Sequence, residues 1–325
     1  MPDSEFDIIQ RYFARPFGKC ESVVLGIGDD AAILSPSPNR QLVVSIDSLL
    51  AGVHFPHSTA AEQVAAKALA VNLSDLAAMG ATPAWFTLAL SLPEIDHDWL
   101  AAFSEGLAEM ASACGLALIG GDTTRGPLAV TIQIAGYVQP GKALLRSGAR
   151  AGDRIFVTGS IGDAALGLYA LRHRCGAKAD TDYLIQRLNR PQPRIEAGQA
   201  LQGVASACID VSDGLFADLG HILDASGVGA RVREAEIPRS PAASAFLAER
   251  AELWPSFANR GDDYELCFCV PRENLEKIAA LEKRLDCRLS CIGEIVAQKG
   301  LQVLDEQGRP IDIGHDNYDH FASAP

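Results

Sequence analysis

Residues 62–79 (EQVAAKALAVNLSDLAAM) constrain this chain more than any other stretch. Val64, Ala68 and Val71 recur at helical spacing and share a face with Asp75. The opposite stripe, Ala65, Leu69, Leu76 and Met79, is apolar too, so the helix needs protein on most of its sides. Gly80 stops it and Pro83 follows. A core helix of this kind demands sheets or helices packed around it, and it carries one carboxylate that must find a partner or a cation. Asp75 lies near the helix C-terminus, where the dipole disfavours negative charge. Both effects mark Asp75 as a functional candidate.

The remaining pattern mixes strands and helices without a strict βαβ rhythm, which predicts an α+β fold. A helix is expected over Phe6–Phe13, strands at Val23–Leu25 and Gln41–Ile46, and a strand at Trp85–Leu92. A helix capped by Asp96 or Asp98 should run to Cys114, with strands at Leu116–Ile119 and Leu128–Val138. The polar stretch Gln139–Asp153 is the expected domain boundary, and 325 residues suit two domains. The second half should hold strands at Arg154–Thr158, Cys208–Ile209, Glu265–Val270, Leu289–Ile295 and Leu301–Leu304. Helices are expected from Asp163, near Tyr183–Leu188, and at Arg194–Leu201, Leu215–Ala225 and Glu273–Leu285.

Charge and cysteine content exclude several classes. With 28 basic and 41 acidic residues the net charge is −13, which disfavours nucleic acid and anionic membrane as partners. No uninterrupted apolar run of membrane-spanning length occurs, and the acidic N-terminus is unlike a signal peptide. The eight cysteines form no CxxC pair. Free thiols in a reducing cytoplasm are expected, with Cys267 and Cys269 on one face of a strand.

Aspartates recur beside glycine where strands are expected to end: Gly26-Ile-Gly-Asp-Asp30, Gly120-Gly-Asp122, Asp210-Val-Ser-Asp213-Gly and Gly261-Asp-Asp263-Tyr-Glu265. Ser45-Ile-Asp47 ends another strand. Each alone is ordinary turn or cap chemistry, and Asp213 could cap the helix at Leu215. Together they are oxygen ligands suited to hard cations. Gly26–Ala31 matches a dinucleotide fingerprint, but its two aspartates would repel a pyrophosphate and no long helix follows. No GxxxxGK[ST] or HRD motif is present. Among seven histidines, His54 in Gly52-Val-His-Phe55 stands out by its closeness to Asp47.

The segments GIGDDAA (26–32), AGVHF (51–55), KALAVNLSDLAAMGA (67–81), LIGGDTTRG (118–126), RSGA (146–149), DVSDGL (210–215), GDDYELCF (261–268) and YDHF (318–321) resemble the thiamine-monophosphate kinase family. That family is related to aminoimidazole ribonucleotide synthetase. The resemblance implies an N-terminal sheet domain over residues 1–140 that binds ATP and metal and dimerises. A C-terminal α/β sandwich domain over residues 141–325 would complete the active site. It implies transfer of the ATP γ-phosphoryl group to thiamine phosphate by a homodimer, with several Mg2+ ions held by aspartates. By matching position, Asp30, Ser45, Asp47, Asp75, Asp122, Asp210 and Asp213 are the implied metal set. Gly121, Asp122, Arg146 and Ser212 are the implied nucleotide contacts; His54, Asp262 and Tyr318 those to thiamine phosphate. No general base is assigned. Ile46 stands where the family usually has Thr, and Asp262 where it usually has Glu. Selenophosphate synthetase and the hydrogenase-maturation relatives fit less well, since Cys20 lacks a glycine-rich setting and the chain ends FASAP.

Overall fold

The computed structural model describes residues 4–311 apart from Pro16, Lys19, Pro255 and Asp286. They fall into two units: Met1–Leu76 with Ala81–Ala143, and Ala77–Gly80 with Leu144–Pro325. The α+β class expected from the sequence is observed in both.

The first unit opens with α1 (Glu5–Ile8), whose capping box pairs Ser4 with Asp7. It widens into a π-turn over Ile9–Phe13. Strands β1 (Val23–Leu25) and β2 (Ile33–Leu34) form a small antiparallel pair. Then come β3 (Gln41–Leu50), α2 (Ala61–Ala78), β4 (Thr82–Leu92), α3 (His97–Ala113), β5 (Ala117–Arg125) and β6 (Ala129–Val138). The sheet order is β3-β6-β4-β5, with β4 and β5 parallel through the α3 crossover. Asp96 caps α3 by accepting the Asp98 and Trp99 amides, both at 3.0 Å. Helix α2 is buried as its two apolar stripes require: Ala65, Leu69, Leu73 and Leu76 have no exposed surface.

The second unit contains β7 (Arg154–Thr158), α4 (Asp163–His173), α5 (Lys178–Asn189), α6 (Ile195–Leu201) and β8 (Ala207–Asp210). It continues with α7 (Leu215–Ser226), β9 (Gly229–Arg233), α8 (Pro241–Leu247), β10 (Leu266–Val270), α9 (Leu275–Arg284), β11 (Leu289–Val296) and β12 (Gly300–Leu304). Its six strands are ordered β12-β9-β11-β7-β10-β8, and only β9 and β12 pair in parallel. Helices cover both faces. Ile155, Val157, Cys267 and Cys269 pack with Leu166, Leu219 and Phe246 on one side. Phe156, Leu266 and Phe268 pack with Leu201 and Ile278 on the other. The two cysteines do share a strand face, as their spacing predicts.

Strands β2 and β9 and helix α8 were not expected. Helix α8 hides in the Pro-rich stretch IPRSPAAS: Ser240 caps it by accepting the Ala243 amide at 2.9 Å, and Pro241 occupies its first turn.

A buried charge network holds the centre of this unit. Glu265, with no exposed surface, accepts from Arg187 Nη2 at 2.8 Å and from Arg194 Nε and Nη2, both at 2.6 Å. Thr158 Oγ1 also donates to it at 2.6 Å. Removing the carboxylate leaves two mostly buried guanidiniums facing each other. Glu265→Ala is therefore expected to lower the unfolding free energy by about 3–5 kcal/mol, measured by urea denaturation, with Glu265→Gln losing less.

Candidate active site

Strand β3 does not stop at Asp47. It pairs Asp47 with Ile132 and continues to Leu50 opposite Ala129. Ser45 and Asp47 therefore alternate with Ile46 and face the side where α2 brings Asp75. Ser45 Oγ donates to Asp75 Oδ2. The Asp47 and Asp75 carboxyls share a hydrogen bond, and Asp47 is pushed up to about 6 by burial and by the charge of Asp75. Ile46 points the other way and is 63% exposed, so no side chain at 46 in this backbone meets the Asp47–Asp75 pair.

Strand β5 likewise runs through the motif instead of ending before it, covering Gly120–Arg125. Gly121 fits because a Cβ there would collide with the Leu88 carbonyl oxygen. Asp122 is exposed, and the register places it with Ala89, Thr131 and Ser48 on the sheet face opposite Asp47. Asp30 is exposed after β1, its amide bonded to Asp29 Oδ1 at 2.9 Å. His54 accepts the Leu50 amide at Nδ1 at 3.0 Å, which puts the proton of a neutral ring on Nε2. Lys67, only 2% exposed, donates to the His54 carbonyl at 3.0 Å and fixes that turn.

In the second unit β8 delivers Asp210, 5% exposed, to the start of the DVSDG loop. Asp213 does not cap α7. Asp218, one turn into that helix, reaches back instead: its Oδ2 accepts the amides of Ser212, Asp213 and Gly214 at 2.9, 3.1 and 3.1 Å. Burial and the nearby Asp213 push the Asp218 carboxyl up to about 7 against those three donors. The second motif loop docks on the first. Asp262 N donates to Ser212 O and Tyr264 N to Val211 O, both at 2.8 Å, and Val211 N donates to Glu265 O at 2.7 Å. Gly261 permits the approach, since a Cβ would strike the Ser212 carbonyl. Ser212, Asp213 and Asp262 are thus neighbours. Arg146 is exposed on a loop pinned by Ser226 Oγ, which accepts the Gly148 and Ala149 amides, both at 3.1 Å. Tyr318 lies outside the described residues.

The expected metal set is gathered only in part. Among the described residues no three His, Cys, Asp or Glu side chains converge to hold a metal ion. Ser45, Asp47 and Asp75 do meet, and their donor set suits a hard divalent cation. A cation would replace the shared proton and satisfy both carboxylates. Sequence reasoning missed Lys67 and Asp218. Lys67 was visible as the one cation in an apolar helix, and Asp218 as an acid one turn past Gly214.

A carboxyl whose folded pKa is raised binds more protons folded than unfolded between about pH 4 and 6. It therefore loses stability for the fold as pH rises through that window, and the whole penalty is present above it. In metal-stripped protein, Asp47→Asn should raise the melting temperature at pH 7.5 by a few degrees and leave it little changed at pH 4. Scanning calorimetry at the two pH values in EDTA checks this; an equal shift at both would contradict it.

Residues 28–138 match the AIR synthase related protein N-terminal domain and residues 150–306 the C-terminal domain. The thiamine-monophosphate kinase of Salmonella typhimurium is 48% identical over 99% of this chain and 100% of its own. The crystal structure of thiamine-monophosphate kinase from Stenotrophomonas maltophilia K279a is 44% identical with a TM-score of 0.83, covering 96% of this chain and 98% of that one. AaThiL complexed with AMPPCP and TMP is 30% identical with a TM-score of 0.78, covering 91% and 92%. With both AIR synthase related domains in order and such identity along its whole length, the chain belongs to the thiamine-monophosphate kinase family.

Proposed function

We propose that the protein transfers the γ-phosphoryl group of ATP to the phosphate of thiamine phosphate, giving thiamine diphosphate and ADP, in the cytoplasm. The observation that carries this reading is the meeting of Ser45, Asp47 and Asp75 beneath the sheet, a site that wants a divalent cation. It is supported by relatives named for this activity and by one solved with AMPPCP and TMP.

Donor and acceptor are both polyanions, so their repulsion must be cancelled before an oxygen of the acceptor phosphate can approach the γ-phosphorus in line. Mg2+, when bound, would supply that positive charge. Asp30, Ser45, Asp47, Asp75, Asp122, Asp210 and Asp213 would hold several such ions. Gly121, Asp122, Arg146 and Ser212 would contact the nucleotide: Gly121 and Ser212 by close backbone approach, Arg146 by its fork of donors. His54, with its Nε2 proton, Asp262 and Tyr318 would contact thiamine phosphate. The acceptor phosphate is already largely ionised near neutral pH, so no side chain need act as general base. ATP consumption should be fast with thiamine phosphate and at least about a thousandfold slower with thiamine, which lacks the bridging phosphate. Asp75→Asn should abolish turnover while the circular dichroism spectrum stays unchanged. Comparable turnover of the two acceptors would refute the reading.

The reading includes a homodimer. On β4, Trp85 is covered within the chain by Val23, Ala32 and Leu34. Edge strand β3 leaves Leu42, Val44, Ile46 and Leu50 42–63% exposed. Asp47 and Asp122 stand on opposite edge strands of a four-stranded sheet, about 14 Å apart by strand spacing, and on opposite faces. A metal set that draws on both takes them from two copies. Mixing inactive Asp47→Asn and Asp122→Asn proteins should then restore roughly a quarter of wild-type activity, because half the dimers are mixed and each has one intact site. No recovery after verified subunit exchange would rule out the shared site.

A further inference from the structure

Four described non-glycine residues have positive φ: Asn39, Arg174, Asp262 and Tyr264. Asn39 lies in a turn and Arg174 at a helix C-cap, where the left-handed region is ordinary. Asp262 (φ 65°) and Tyr264 (φ 51°) lie in neither, and tyrosine there is a marked outlier.

The surroundings over-determine this backbone. Three main-chain hydrogen bonds tie it to Val211 and Ser212. Asp263, 2% exposed, accepts the Gly162 amide at 2.7 Å and the Ala164 amide at 3.3 Å, and Glu265 is locked by two arginines. With 263 and 265 buried, the partly exposed side chains of 262 and 264 are left together. Tyr264 Oη donates to Asp262 Oδ1 at 3.2 Å. Strain held this firmly beside a candidate site points to function.

We infer that Tyr264 belongs to the acceptor site: its ring receives the acceptor's organic cation, and its hydroxyl holds Asp262 toward that cation. This rests on the reading of the acceptor as thiamine phosphate. The thiazolium nitrogen is quaternary and has no proton to donate, so hydrogen bonding cannot recognise it. An aromatic face beside a carboxylate can. The tyrosine hydroxyl also orients a carboxylate one methylene shorter than the glutamate usual at position 262.

The test compares KM and kcat of wild type, Tyr264→Phe and Tyr264→Leu. The acceptors are thiamine phosphate and its analogue with carbon in place of the charged ring nitrogen. Tyr264→Leu should raise KM for thiamine phosphate about 3- to 30-fold, the range of a cation–π contact. It should leave KM for ATP, kcat and KM for the uncharged analogue within about twofold. Tyr264→Phe, which keeps the ring, should lose less. If the leucine variant does not fold, Tyr264→Gly removes the ring at a backbone position glycine adopts freely. Equal KM losses for charged and uncharged acceptors, or a loss in kcat and ATP binding instead, would overturn the inference. Full turnover with a KM indifferent to Tyr264 overturns this inference alone. Absence of turnover with thiamine phosphate in the wild type overturns the functional reading, and this inference with it.

Discussion

The first unit is organised around one carboxylate on an otherwise apolar helix. Helix α2 is surrounded because both its stripes are apolar, and that packing carries Asp75 against β3. There it meets a second carboxylate, Asp47, and the serine two residues before it. Two like charges so placed share a proton or attract a cation. Under the proposed function, stability and activity pull in opposite directions here: the arrangement costs the metal-free fold and would serve the reaction.

In the second unit the opposing charges are satisfied inside the protein. Glu265 is locked by Arg187, Arg194 and Thr158, and Asp263 by the first amides of α4. These anchors fix a short loop in a conformation it would not adopt alone. Asp218 fixes the neighbouring loop through three amides. The half-buried residues Ser212, Asp213, Asp262 and Tyr264 are therefore held in place by buried neighbours.

Most element positions were legible in the amino-acid pattern because they follow from periodicity and from local stop signals. Gly80 and Gly115 end helices with φ of 67° each, and Asp96 starts one. Strands β3 and β5 ran longer than expected. Their polar motif residues look like loop chemistry, and only pairing with β6 and β4 keeps them extended. Helix α8 was missed because its first turn contains the proline that elsewhere marks a loop.

The sequence alone determined the α+β class, the burial of α2, the singular position of Asp75 and the resemblance that named the family. These depend on side-chain spacing, which is local. Tertiary structure decided which candidates meet. It put Ser45 and Asp47 on the face of Asp75, turned Ile46 and Asp122 to the other, replaced Asp213 by Asp218 as the loop anchor, and paired Tyr264 with Asp262. Strand parity and register set those encounters, and both are fixed by pairing between segments distant in the chain.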